Sequence, residues 1–157
     1  MTTHVVALML WLTGLRPREV AAMTEGFDLG VDLINGVLVR FEGGAIGTVA
    51  STGSLQPGQD EQLAMRIYGS DGHMELDLSA GRAAIVRVGG PSEELEPLPE
   101  EERSPEWAPA QNLVDVILHG GANGSPSSIG VRTVELVEGM YRSQEERRTL
   151  SQVSPEG

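Results

Sequence analysis

Three histidines carry most of the chemistry this sequence can offer. His4, His73 and His119 lie far apart along the 157 residues and none belongs to an H-x-x-x-H pair, so the spacing of a helical metal site is missing. His119 follows Asp115 by one helical turn, which suits either a base with its orienting carboxylate or an ordinary ion pair on a solvated face. A metal- or water-using enzyme centred on that pair is the weaker possibility, because no G-x-S-x-G elbow accompanies it. All 11 basic residues are arginine and there is no cysteine. Schiff-base chemistry, a phosphate-loop lysine and a thiolate nucleophile or metal ligand are therefore excluded for this sequence.

His4 stands apart because of the residues after it. Val5 to Leu12 is an unbroken apolar run, so the histidine lies in the first turn of a helix that is apolar all round. A sheet covers one face of such a helix, and a second domain or subunit must cover the rest, which puts His4 at the rim of a junction. Only Thr2 and Thr3 separate Met1 from His4, so the basic n-region of an export signal is missing, and a run this short does not span a bilayer.

The elements that position these residues are set by local punctuation. Pro17 stops the first helix and "EVAAMT" reads as a strand. Val37, Val39 and Phe41 alternate with Leu38 and Arg40, Glu42-Gly43-Gly44 turns the chain, and Ile46, Thr48 and Ala50 continue beyond it, which predicts a hairpin. "LAMRIYG", "HMELDL" and "AAIVRV" are further strands, the first two joined at Asp71-Gly72. Residues 89–107, with seven glutamates from Glu93 to Glu106 opposed only by Arg103, read as a solvated acidic loop. Two helices come next, one with Leu113, Val116 and Ile117 as its apolar stripe. The other has Val134, Val137 and Tyr141 as its stripe, with Val131 beside it and Ser127 or Ser128 as N-cap. "TLSQV" is a last short strand that rejoins the sheet.

Segregated strands and helices predict an α+β fold: an open, mostly antiparallel sheet of about six or seven strands with helices packed on one face, in one domain over 1–157. The glycine-rich "GGAIG" lies in a hairpin and "GGANG" between two helices, so neither makes a nucleotide cradle. With 23 acidic against 11 basic residues the net charge is -12, which disfavours nucleic acid and anionic membranes as partners.

Taken in order, "TTHVVALMLWLTGLRPREVAA", "VDLINGVLVRFEGGAIGTVASTGS", "RIYGSDGHMELDL", "NLVDVILHGG" and "GVRTVELVEGMYRS" resemble the C-terminal domain of the glucose-fructose oxidoreductase, inositol dehydrogenase and rhizopine-catabolism family (Gfo/Idh/MocA). The best markers are the helix from His4 to Gly14 and the Tyr141-Arg142-Ser143 ending of the last helix. The resemblance implies a dihydrodipicolinate-reductase-like C-terminal fold, paired in the family with an N-terminal Rossmann domain that holds NAD or NADP. It implies a place at the substrate for Thr3 and His4, with His4 as the catalytic histidine that helps to move a hydroxyl proton of a sugar or polyol. The family's usual helpers, a lysine of the Rossmann domain and an aspartate four residues before the histidine, fall outside this sequence. Ala7 and Glu146 also depart from the family pattern, at positions where an aspartate and a helix-ending glycine are common. The second departure predicts a last helix that runs on or ends without a left-handed cap.

The expectation is a cytoplasmic substrate-binding and oligomerisation domain, inactive alone, that forms a homodimer or higher homo-oligomer through its sheet face. NAD or NADP enters only with a Rossmann partner. The alternative is a stand-alone, non-catalytic dimeric module that binds a small polar ligand or a protein.

Overall fold

The first helix ends where its sequence loses the means to continue. The computed structural model describes residues 2–103 and 105–151, and in it α1 runs over Thr2–Thr13. Gly14 takes a left-handed φ of 65° and donates to Leu10 O at 2.9 Å, a glycine cap that closes the helix three residues before Pro17. The strands are β1 (Pro17–Glu25), β2 (Ile34–Phe41), β3 (Ile46–Thr52), β4 (Ala64–Gly69), β5 (Gly72–Asp77), β6 (Arg82–Arg87), β7 (Glu93–Leu95) and β8 (Leu150–Ser151). The remaining helices are α2 (Glu100–Arg103), α3 (Ala108–His119) and α4 (Ser127–Glu146).

The chain divides into two compact units, one formed by the residues up to Ser54 with those from Asn123 onward, the other by Leu55–Ala122. The α+β class and the antiparallel pairing are as expected, but the strands form two sheets of four instead of one of six or seven. Alternation reveals that a strand exists and which way its side chains point; it does not say to which sheet the strand is added.

In the first unit the sheet order is β3-β2-β1-β8, antiparallel throughout. Along β2 every second residue is buried, so Asn35, Val37, Val39 and Phe41 face inward as the alternation requires. On β3 the inward row is Gly47, Val49 and Ser51, which leaves Ile46, Thr48 and Ala50 outside. α1 packs on β3 and α4, and α4 packs along β1. Val6, Met9 and Leu10 of α1 and Leu136 and Met140 of α4 close the core over Val20, Val37, Val39, Phe41, Val49 and Leu150. The sheet's other face shows Met23, Ile34, Leu38 and Ile46 to solvent.

α4 buries a different stripe from the expected one. Thr133, Leu136, Gly139, Met140 and Ser143 face the core, while Val131 and Val134 are exposed and Tyr141 is 42% exposed. Neither Ser127 nor Ser128 caps the helix; extended Pro126 sets its entry, with Ile129 N bonded to Pro126 O at 3.0 Å. The C-terminus also corrects the expectation, because Arg147 takes the left-handed cap conformation at φ 51° without any glycine.

Ser143 explains the close approach of α4 to β1. Among the described residues β8 pairs with β1 at Glu19 and Val20, and beyond them Ala22 N donates to Ser143 Oγ (3.1 Å) and Thr24 N to Gln144 Oε1 (3.3 Å). The helix end thus satisfies edge groups that a longer β8 would have taken. Ser143 Oγ also donates to Arg148 O at 2.7 Å. Ser143→Ala is expected to destabilise the protein by about 1–2 kcal/mol, because it strands a part-buried N–H, read as a lower urea midpoint at unchanged slope. Gln152 and Val153 of the expected last strand lie outside the described residues.

The second unit is a meander, β4-β5-β6-β7, antiparallel. Its first turn needs glycine at Gly72, where φ is 146° and a Cβ would fall 1.9 Å from Val86 O. One face carries cross-strand ion pairs, Arg66–Glu75 (3.2 Å) and Arg82–Asp77 (3.1 Å), the usual dress of a solvated sheet face. The acidic segment 89–107 contains the edge strand β7, with Glu93 opposite Ile85 and Leu95 opposite Ala83. Backbone pairing tolerates these glutamates because their side chains reach water, and Arg87 lies 3.8 Å from Glu93. α3 ends at left-handed Gly120, but Leu113 and Ile117 of its expected apolar stripe are exposed.

Candidate functional site

His4 and Thr3 are both exposed in the first turn of α1. His4, Leu8 and Trp11 recur at helical spacing on the side away from Val6, Met9 and Leu10, and Trp11 is 53% exposed. One side of α1 is therefore covered within this unit and the His4 side is open.

Beneath that first turn lies a polar cluster. Thr24, Asn35 and Ser51 form one cross-strand row at the end of the sheet. Thr2 Oγ1 and Ser51 Oγ are 2.7 Å apart, and Asn35 Nδ2 donates to both at 3.2 Å. Asn35 is only 5% exposed, and its Oδ1 is buried without a hydrogen-bond partner among the described residues. An inward-facing position that holds valine or phenylalanine further along β2 is here spent on an amide that fixes Thr2, two residues before His4.

Three residues before Asn35, Asp32 Oδ1 accepts a 2.7 Å hydrogen bond from the Tyr141 hydroxyl of α4. That bond holds the Asp32 carboxyl below its ordinary value of 3.8, the Asn35 amide adding to the effect against partial burial. The same bond, with burial and the Asp32 charge, pushes the Tyr141 hydroxyl above its ordinary 10.0. A depressed carboxyl stabilises the folded state above pH 3.8 and loses that contribution as pH falls through the folded value; a raised phenol stabilises below pH 10.0 and loses its contribution as pH rises. Tyr141→Phe is therefore expected to lower stability across the neutral range, with the difference from the parent shrinking in acid below, and in alkali above, those values. Chemical denaturation as a function of pH measures it.

The other sequence candidates lie in the second unit. Asp115 Oδ1 accepts from Gln111 Nε2 at 3.0 Å, and no contact joins it to His119 among those described. His73 stacks on Tyr68 at 5.2 Å between ring centroids, with Nε2 3.6 Å from Glu75 Oε1. Among the described residues no group of three or more His, Asp or Glu could hold a metal ion, and no helix is long and apolar enough to cross a membrane. Thr2, Asp32, Asn35, Ser51 and Tyr141 were not singled out as site residues by the sequence; the asparagine in the inward row of β2 was the one signal for them.

This fold is that of the C-terminal half of known oxidoreductases. A crystal structure of aldose-aldose oxidoreductase from Caulobacter crescentus complexed with glycerol matches with a TM-score of 0.76 at 23% identity, over 96% of this chain and 45% of that one. An oxidoreductase domain protein from Kribbella flavida matches with a TM-score of 0.82 at 19% identity, over 96% and 48%. GenD2 from gentamicin A biosynthesis, in complex with NAD, matches with a TM-score of 0.74 at 27% identity, over 95% and 46%. The chain spans about half the length of these relatives. No curated protein matches it. Residues 1–75 match the GFO/IDH/MocA C-terminal domain, the family that the sequence resembles.

Proposed function

We propose that this domain binds the substrate of an NAD(P)-dependent sugar or polyol oxidoreductase and assembles the enzyme into a homo-oligomer. The observation that carries the reading is His4, open to solvent in the first turn of α1 beside the Thr2–Asn35–Ser51 cluster. The glycine-rich turns of the described residues cap α3 or turn hairpins, and none follows a strand to open a helix, so they do not fit a dinucleotide. The NAD or NADP site is assigned to a Rossmann domain, and this chain's part is to bind and to move a proton. His4 accepts the hydroxyl proton as the carbinol is oxidised and returns it in the reverse direction, with Thr3 as a neighbouring substrate contact.

Oligomerisation is assigned to the open face of the first unit's sheet, where Met23, at 80% exposed, stands with Ile34, Leu38 and Ile46. The same face would serve the alternative of a non-catalytic dimeric module, so activity has to separate the two. A cytoplasmic setting goes with either.

The test joins this chain to a nicotinamide-binding domain and follows NAD(P)H absorbance over a panel of neutral sugars and polyols. Turnover is expected only with both parts present. Tight NAD(P)H binding by this chain alone, seen in isothermal titration, would contradict the reading. Sedimentation of the chain is expected to show a dimer or larger, and Leu38→Glu to yield monomer, since a buried charge in an apolar contact is strongly disfavoured.

A further inference from the structure

α1 starts without an acidic residue in its first turn, and its leading N–H groups have no acceptor within the helix. Helix ends of this kind fray unless they are tied down. Here the tie comes from the sheet. Thr2 Oγ1 lies 2.7 Å from Ser51 Oγ, and Asn35 Nδ2 donates to both hydroxyl oxygens at 3.2 Å. α1 packs on β3, the strand that carries Ser51.

Asn35 is a poor choice for stability at its position. It shares the inward row of β2 with Val37, Val39 and Phe41, is 5% exposed, and leaves Oδ1 buried without a partner among the described residues. A stranded buried acceptor costs about 1–3 kcal/mol, whereas a valine there would continue the apolar row. Local rules broken in this way concentrate at functional sites.

We propose that Asn35 is a positioning residue: with Ser51 it clamps Thr2 and so holds the first turn of α1, and His4 within it, in the geometry that proton transfer requires. The inference rests on the proposed role of His4 and does not require the cluster to touch substrate. His4 is exposed while the clamp is part-buried, but Thr2 and His4 belong to one helical turn, so fraying at Thr2 carries the His4 backbone with it. A general base works within hydrogen-bond reach of its proton, and a misplacement of about 1 Å can cost about 10²-fold.

Three variants test it. Asn35→Val removes the amide, Thr2→Val removes the hydroxyl at nearly the same side-chain shape, and Thr2→Ser keeps the hydroxyl. In the 15N-labelled chain, relaxation is expected to give order parameters of about 0.85 for Thr3 and His4 in the parent and in Thr2→Ser, and below about 0.6 in both valine variants. In the chain joined to a nicotinamide-binding domain, the valine variants are expected to lose at least about tenfold in kcat with KM within about threefold. Thr2→Ser should stay within about threefold of the parent in both constants. The urea midpoint of Asn35→Val should equal or exceed that of the parent, because the stranded acceptor is gone. Turnover that falls while stability holds separates positioning from a purely structural role.

Unchanged order parameters in both valine variants, mobile first turns with unchanged kcat, or an Asn35→Val midpoint that falls in step with kcat overturns the proposal. Should Asn35→Val not fold, Thr2→Val decides, since Thr2 lies at the helix start and outside the buried core. His4→Asn, measured alongside, keeps the two readings apart. If it leaves kcat unchanged, the role of His4 fails and positioning fails with it; if it lowers kcat and the valine variants do not, positioning alone fails.

Discussion

A Leu136→Ala protein is expected to unfold about 3 kcal/mol more easily than the parent, whereas Val134→Ala, two residues away, should change stability by less than about 0.5 kcal/mol. Leu136 has no exposed surface and sits where α4 lies on β1, among Met140, Val20 and the other core residues. Truncating it removes buried methyl groups and leaves a cavity that a close-packed core fills only in part. Val134 is 68% exposed, so its loss returns little surface to water. The pair is measured by urea denaturation of each variant against the parent. A large effect at Val134 with a small one at Leu136 would mean that α4 packs by its valine stripe, as its hydrophobicity alone implies.

That reversal shows where the sequence stops being legible. α4 carries two candidate stripes, and by apolarity Val131, Val134 and Tyr141 outrank a row containing Thr133, Gly139 and Ser143. The sheet selects the second row for reasons that lie outside the helix. Gly139 is buried in that row, the Thr133 hydroxyl is already satisfied by Ile129 O at 2.7 Å, and Ser143 supplies the partner that Ala22 N lacks. None of these needs is visible until β1 is in place. By contrast, the end of α1 at Gly14 and Pro17, the alternation along β2 and the glycine at position 72 were readable, because each is a local steric requirement carried by the residue itself.

The helix end at Arg147 obeys the same division. No glycine announces it, yet the left-handed turn forms because Arg148 N bonds to Ser143 O at 3.2 Å while Ser143 Oγ donates to Arg148 O. Leu150 is thereby delivered to its place opposite Val20. The candidate site divides likewise. His4 was legible as a polar residue opening an apolar helix, whereas Asn35, an amide in the inward row of β2, was not singled out. The Asp32–Tyr141 bond joins residues 109 apart in sequence, and no spacing rule connects them.

Under the proposed role, replacing His4 with asparagine in this chain joined to a nicotinamide-binding domain is expected to lower kcat by about 10²- to 10⁴-fold, the range typical of a lost general acid–base group. KM should move far less, because asparagine retains hydrogen-bonding capacity in the first turn of α1 while losing the ability to take and return a proton at neutral pH. Stability should stay within about 0.5 kcal/mol of the parent, since His4 is exposed and the residues of α1 buried in the core are Val6, Met9 and Leu10. This combination separates His4 from Leu136, whose loss should unfold the protein without selective damage to turnover. Steady-state kinetics in both directions, with denaturation midpoints run in parallel, gives all three readouts. A variant that keeps kcat but raises KM would make His4 a binding residue and move the proton transfer to another group.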